Sequence, residues 1–408
     1  MSQVADQHAQ RDRYRLAVVT VLASGLATVP SIAYVPLLPA IKQSLGMNFT
    51  QLGLFSGLAG ILAILWAVPA GLCIRRIGAR RVFFIGIVLM VLGVLALSAS
   101  RGFPAALASR GLWQTGLRFM LPAVTAAMVL AAPPERCSTL LGINIAVSMV
   151  FTIIAQNVAA AIGERSGWQS AMVLFAAVIC AAAVVFLLGT RSTDAAVAPE
   201  RAELPGQQSG TRSAFRMPAM WLLCLLVIFA CEEGLADNLA VVQMREQWNT
   251  DAVAFAHIVS LGMLLAIVIN LAGGWLGDRF GHWNMLVATG LLNSLVGVCL
   301  LIGQDGHMSV YVCGLLIAKS LQLSTALFVN SMAPRLLGGR EVGPIVAMVA
   351  LGGGVGQYLG PQVLGVLRDT TGAYTAGWVF ITVSGVLATA LAAGFRWYYG
   401  RARLAPAN

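Results

Sequence analysis

Apolar residues along the chain fall into twelve long runs separated by short polar gaps, at 16–40, 50–73, 82–100, 103–132, 138–161, 168–190, 217–242, 252–276, 284–303, 307–333, 342–366 and 373–396. A helix needs about 20 mostly apolar residues to cross a bilayer, and every run is near or above that length. Backbone amides in hydrocarbon must be satisfied internally, and a spanning barrel would show short alternating strands instead. The pattern therefore predicts an all-α integral membrane protein of twelve transmembrane helices, with the lipid bilayer as its solvent. The runs 103–132 and 307–333 exceed the bilayer's need and predict tilt or projection beyond it. Pro30, Pro36, Pro39, Pro69 and Pro122 lie inside spans or near their ends and predict kinks there.

Composition agrees. Only 10% of the 408 residues are charged and 58% are hydrophobic, against about a quarter charged in an ordinary soluble domain. The formal charge of +10 would raise the question of nucleic acid in a soluble protein. Here the arginines sit in gaps between apolar runs, with no basic helix and no aromatic platform, so no nucleic-acid partner is expected. With the amino terminus on one side, the loops of that side carry 18 Lys and Arg and the opposite loops carry 5. That asymmetry places both termini in the cytoplasm of a multi-pass protein of the cytoplasmic, or inner, membrane. Residues 1–15 form a polar tail without the apolar stretch of a cleavable leader, and 398–408 form a second tail. The longest polar stretch, 191–216, is rich in Pro, Gly, Gln and charge and reads as a cytoplasmic linker between two six-helix bundles, 16–190 and 217–397.

Several chemistries are excluded. Seven cysteines without paired spacing argue against both a disulfide framework and a zinc site, and neither His257 nor His282 has a ligand-like neighbour. No metal and no cofactor is expected. No phosphate-cradling glycine loop is followed by lysine, and no set of nucleophile, base and orienter appears, so the chain reads as neither an ATP-driven pump nor an enzyme.

The two halves also repeat in sequence. GLCIRRIGARR at 71–81 and GWLGDRFGHWN at 274–284 align at an offset of 203 residues, matching Gly71, Arg76 and Gly78 to Gly274, Arg279 and Gly281. Parallel six-helix halves are one transporter plan, with the substrate site near the midplane. The duplicated loop resembles the pattern G-x-x-x-D-R-x-G-R-[RK] of the major facilitator superfamily. Arg110 near the start of the fourth span, PPER at 133–136 and GGREVG at 338–343 extend the resemblance over residues 15–397. It implies a secondary transporter that works by alternating access, commonly as a single chain, with spans one, four, seven and ten lining the cavity. It also implies a gating role for Asp278 with Arg279 and Arg76. The first copy carries Arg75 where the family has aspartate, so the carboxylate's gating role passes to Asp278 alone. The glycine- and proline-rich fifth helix of drug:proton antiporters has no counterpart in 142–163.

Charges inside spans are the candidate chemistry, because each is costly at the bilayer centre. Arg118 lies midway along span four, Lys319 midway along span ten, and Glu232, Glu233 and Asp237 fall in span seven. A guanidinium keeps its proton and needs a partner or ligand, so Arg118 is either ion-paired to a span-seven carboxylate or clamps an anionic group of the substrate. Lys319 is expected to face the cavity and share that anion from the other half. Glu232 and Glu233 are candidates for proton coupling, since burial and adjacent like charge favour the neutral form, with helix packing and salt bridging as the alternative. Asp237 reads as a solvated gate residue nearer the outer mouth. Tyr34, Gln114, Gln322, Gln357 and Tyr358 can hydrogen-bond either a substrate or a neighbouring helix.

Three functions follow. The first is a transporter of a small organic anion, coupled to protons by symport. The second is a proton-coupled exporter of drugs or cationic amphipaths, with the span-seven carboxylates on the cation. The third is a non-transporting membrane receptor or scaffold on the same fold.

Overall fold

Helices form where the sequence offers unbroken apolar runs, and they end at glycine, proline or a polar gap. The structure is a computed structural model and describes residues 17–131, 137–190, 218–232, 236–321, 329 and 342–402. The first span, Ala17–Ser44, comprises α1 (17–28), α2 (Pro30–Ala33), a 3₁₀ turn (Val35–Leu37) and α3 (Leu38–Ser44). There follow α4 (Phe49–Ile77), α5 (Ala79–Ser98), α6 (Phe103–Ala131), α7 (Cys137–Ser166) and α8 (Trp168–Thr190). Beyond the long polar stretch come α9 (Pro218–Glu232), α10 (Ala236–Trp248), α11 (Ala252–Phe280) and α12 (His282–Gly303). The series ends with α13 (Met308–Leu321), α14 (Val342–Thr371) and α15 (Thr375–Ala402). Among the described residues there is no strand, and eight stretches are long and apolar enough to cross a membrane.

The prolines divide into two kinds. Pro30, Pro36 and Pro39 each stand at the start of a short element and remove three amide donors within ten residues, so the first span breaks into pieces. Pro69 and Pro122 lie within α4 and α6, which run on as single helices. The seventh run, expected as one helix over 217–242, is divided between α9 and α10, with 233–235 outside the described residues. The helix expected over 307–333 is described as far as Leu321.

The sequence repeat is also a backbone repeat. Gly78 precedes α5 with φ 86° and ψ 152°, and Gly281 precedes α12 with φ 87° and ψ 132°. Only glycine takes that conformation without strain, which accounts for its presence in both copies of the loop.

The described helices pack into two compact units. The first draws on Met1–Met47, Leu65–Glu203 and Asp251–Ala256, and the second on Asn48–Ile64, Leu204–Thr250 and His257–Asn408. In the first, α5 packs along α6 and against α8, and α7 packs against α8 and α2. A Cβ on Gly93 would strike the Trp113 backbone, so α5 and α6 approach at backbone distance, the close packing that drives helix association in lipid. Phe83 of α5 stacks on Phe186 of α8 at 4.0 Å. In the second unit, α12 packs along α15 and α13, while α9 packs against α14 and α15 around Met220, Leu223, Val227, Leu286 and Met348. Outward-facing Leu65, Val68 and Trp275 stay more than half exposed, as a lipid-facing surface requires.

Candidate functional site

In the first unit the polar chemistry gathers on α6. Arg110, Gln114 and Arg118 recur at intervals of four and share one helix face. Arg110 is 1% exposed. Its guanidinium lies 4.2 Å from the Tyr34 ring centroid and 4.0 Å from that of Trp113, and the two rings meet edge-on at 5.7 Å. Such contacts stabilise a desolvated cation by about 2 kcal/mol. With its amide oxygen turned toward Arg110, Gln114 accepts from Nη2 at 3.1 Å. Arg118, half-buried two turns further on, is close enough for the two guanidinium charges to repel. Neither can shed its proton, so α6 concentrates positive charge in a medium that screens it poorly.

Tyr34 and Gln114, expected to hydrogen-bond either a substrate or a neighbouring helix, both touch Arg110. Sequence reasoning treated Arg110 only as a mark of resemblance. The signal that could have found it is the four-residue recurrence of Arg, Gln and Arg, with Trp113 beside it.

The second unit corrects two expectations. Lys319 does not face an open cavity and Asp237 is not a solvated gate residue: Nζ meets Oδ2 at 2.6 Å, with the side chains 4% and 3% exposed. Two opposite charges this deep pair because either one alone would be left uncompensated. Gly262 of α11 lies against the Lys319 stem, where a Cβ would come within 2.6 Å of Lys319 Cβ. Further along the same helices, Gln243 of α10 accepts from Tyr311 Oη at 2.8 Å and from Trp378 Nε1 at 2.9 Å, and donates to Gln247 Oε1 at 2.9 Å. The pairs 243–311 and 237–319 run in opposite senses, so α10 and α13 are antiparallel and joined by two polar contacts.

A third cluster, not anticipated from sequence, closes the end of this unit. Glu246 accepts from Tyr374 Oη at 2.6 Å, and Arg368 Nη2 lies 3.9 Å from the same carboxylate. Arg368 also covers the rings of Phe49 and Tyr374, at 4.9 and 4.4 Å. Asp369 accepts from the Phe49 and Thr50 amides at 3.1 and 2.7 Å and from Thr50 Oγ1 at 2.6 Å, capping α4.

The remaining candidates stay apart from these clusters. Gln357 and Tyr358 are half-buried on α14, where their backbone abuts Gly57 and Gly60 of α4. Arg76 and Arg279 are exposed in the last turns of α4 and α11, and Arg279 rests 5.3 Å from the Trp275 ring. Glu232 ends α9 and Asp278 lies within α11, but their side chains, together with Glu233 and Gln322, fall outside the described residues.

Long apolar helices with charged side chains buried among them are the plan of a multi-pass membrane protein. Residues 20–337 match the family described as the Major Facilitator Superfamily, and the chain belongs to it. It is a multi-pass membrane transporter of that superfamily. A protein of Agrobacterium vitis named as a tartrate transporter is 22% identical over 379 residues, covering 86% of this chain and 84% of that one. A Staphylococcus aureus (strain Newman) protein named as the nitrate transporter NarT is 22% identical over 355 residues, covering 86% and 88%. Among solved structures, the nucleoside transporter NupG aligns with a TM-score of 0.72 at 14% identity, covering 94% of this chain and 99% of that one. A bacterial homologue of the human lysosomal transporter Spinster gives 0.74 at 14% identity, covering 93% and 97%. These two structures share the fold.

Proposed function

We propose that the chain is a secondary transporter that carries a small organic anion across the cytoplasmic membrane by alternating access, coupled to protons, with both termini in the cytoplasm. The observation that carries this reading is the cationic face of α6, where Arg110 is held against Tyr34 and Trp113 and Arg118 follows two turns on. The names of the relatives support an anionic substrate, since tartrate and nitrate are both anions.

In this reading Arg118, the less buried of the two arginines, clamps the substrate's anionic group. Arg110 supplies fixed positive potential from behind it, and Tyr34 and Gln114 hold Arg110 in place. The paired loops carrying Arg76, Asp278 and Arg279 gate the cytoplasmic side, and the protein works as a single chain.

Thermal stabilisation of the purified protein in detergent, read against organic anions, cations and neutral metabolites, tests the reading. Anions are expected to raise the unfolding temperature of wild type and not of Arg118→Gln. Stabilisation by cationic amphipaths that persists in Arg118→Gln would replace this reading with the drug exporter. Binding without flux in vesicles would point to a receptor.

A further inference from the structure

The two copies of the repeated loop share a backbone turn but not a charge. At the constant offset of 203 residues, the places of Asp278, Trp283 and Asn284 in the second copy are held by Arg75, Arg80 and Arg81 in the first, and those of Trp275 and Phe280 by Leu72 and Ile77. In the second copy Arg279 lies 5.3 Å from the Trp275 ring and 5.6 Å from the Phe280 ring, so its charge rests on aromatic faces. Its counterpart Arg76 has aliphatic residues at both places and shares its turn with three more arginines.

Four guanidinium groups thus fall within residues 75–81, two in the last turn of α4 and two in the first turn of α5. Arg75, Arg76 and Arg81 are exposed and Arg80 is half-buried. The surrounding sequence offers them no carboxylate: residues 13–134 include ten Lys and Arg and no Asp or Glu. Cations suit the carboxyl end of α4, but in the first turn of α5 the helix dipole opposes Arg80 and Arg81. Like charges crowded in this way repel one another, and an anion drawn in among them relieves the repulsion.

Apolar surface runs right up to the turn. Leu72 and Ile77 on α4 and Ile85 and Val88 on α5 are all exposed, so both helices face hydrocarbon as far as the level of the arginines. The cluster therefore sits where lipid headgroups begin. A water-borne anion would engage the charge alone, whereas a phospholipid engages both features, its phosphate among the guanidinium groups and its chains along the apolar side chains.

We propose that the turn between α4 and α5 binds an anionic phospholipid, with Arg75, Arg76 and Arg81 on the headgroup phosphate and the acyl chains against Leu72 and Ile85. The matching turn of the second half, with Asp278 beside Arg279, is not such a site. The proposal is independent of the transported solute and stands or falls without it.

The test is native mass spectrometry of the full chain released from neutral-detergent micelles doped with phosphatidylglycerol or phosphatidylcholine, counting bound lipid against lipid mole fraction. Wild type is expected to retain phosphatidylglycerol at about a tenth or less of the mole fraction needed for phosphatidylcholine. Arg75→Gln/Arg81→Gln should raise the phosphatidylglycerol requirement at least about tenfold, because each surface arginine contributes a several-fold gain. Arg75→Asp, which copies the second half at that position, should also raise it and serves as the second variant if the first does not fold. Arg401→Gln/Arg403→Gln removes the same charge from the carboxyl-terminal end and should shift the requirement by less than about twofold. Soluble glycerol phosphate is expected not to displace the lipid. Equal retention of the two lipids by wild type, or an equal loss in the two double variants, overturns the site by showing no headgroup preference or a diffuse response to net charge. Displacement by glycerol phosphate overturns it too, since the turn would then take a free phosphate and not a lipid.

Discussion

Removing one member of the Asp237–Lys319 pair is expected to destabilise the fold far more than removing both. At 2.6 Å and an effective dielectric near 20, the attraction is about 6 kcal/mol. Withdrawing two ions from water costs about several kcal/mol each, so the pair's net contribution is close to nil. Leaving one charge behind forfeits the attraction and keeps its desolvation cost, a loss of about 3–5 kcal/mol. Asp237→Asn and Lys319→Gln should each lose that much, and the double variant should come within about 1 kcal/mol of wild type. The assay is denaturant unfolding in detergent, followed by tryptophan fluorescence, on all four proteins. A double variant as unstable as the two single losses added together would show that the charges do not act on one another, and the reasoning would fail.

Other clusters make independent predictions. Gln243→Leu orphans the Tyr311 hydroxyl and the Trp378 indole N–H, costing about 2–4 kcal/mol in the same unfolding assay, and adding Tyr311→Phe should recover about 1 kcal/mol. Asp369→Ala removes three acceptor contacts from the start of α4; a loss of about 1–2 kcal/mol is expected, with faster hydrogen exchange confined to the first turn of that helix. Gly93→Val drives a side chain into the Trp113 backbone and should cost about 3 kcal/mol or more, read as a lowered unfolding temperature. Arg110→Lys keeps the charge but loses the planar contact with Tyr34 and Trp113, and should weaken anion-induced stabilisation about tenfold in half-saturating concentration.

The fold class was legible because hydrocarbon leaves the backbone one economical solution, and long apolar runs announce it. The repeat was legible because Gly78 and Gly281 must both adopt positive φ, which preserves glycine at a fixed offset. The break within span one was half-visible: the prolines marked the places, but their effect depends on context, since Pro122 sits inside α6 without ending it. The site was less legible. Charges in spans four, seven and ten could be picked out by their cost, yet which carboxylate meets Lys319 depends on how α10 and α13 register, and no pattern within either helix encodes that. Asp237 looked like a mouth residue because hydropathy falls along α10; packing buried it all the same. The cluster of Glu246, Arg368, Asp369 and Tyr374 was invisible for a related reason, as the first three come from two polar gaps that read as ordinary loops and Tyr374 from the very start of the twelfth run.

The central claim, that this transporter carries an anion on the cationic face of α6, is tested most directly by flux. Purified protein in proteoliposomes should take up labelled tartrate or nitrate under an inward proton gradient, and Arg118→Gln should abolish that uptake while keeping the unfolding temperature of wild type. Uptake that is unchanged in Arg118→Gln, or flux of organic cations in place of anions, would contradict it.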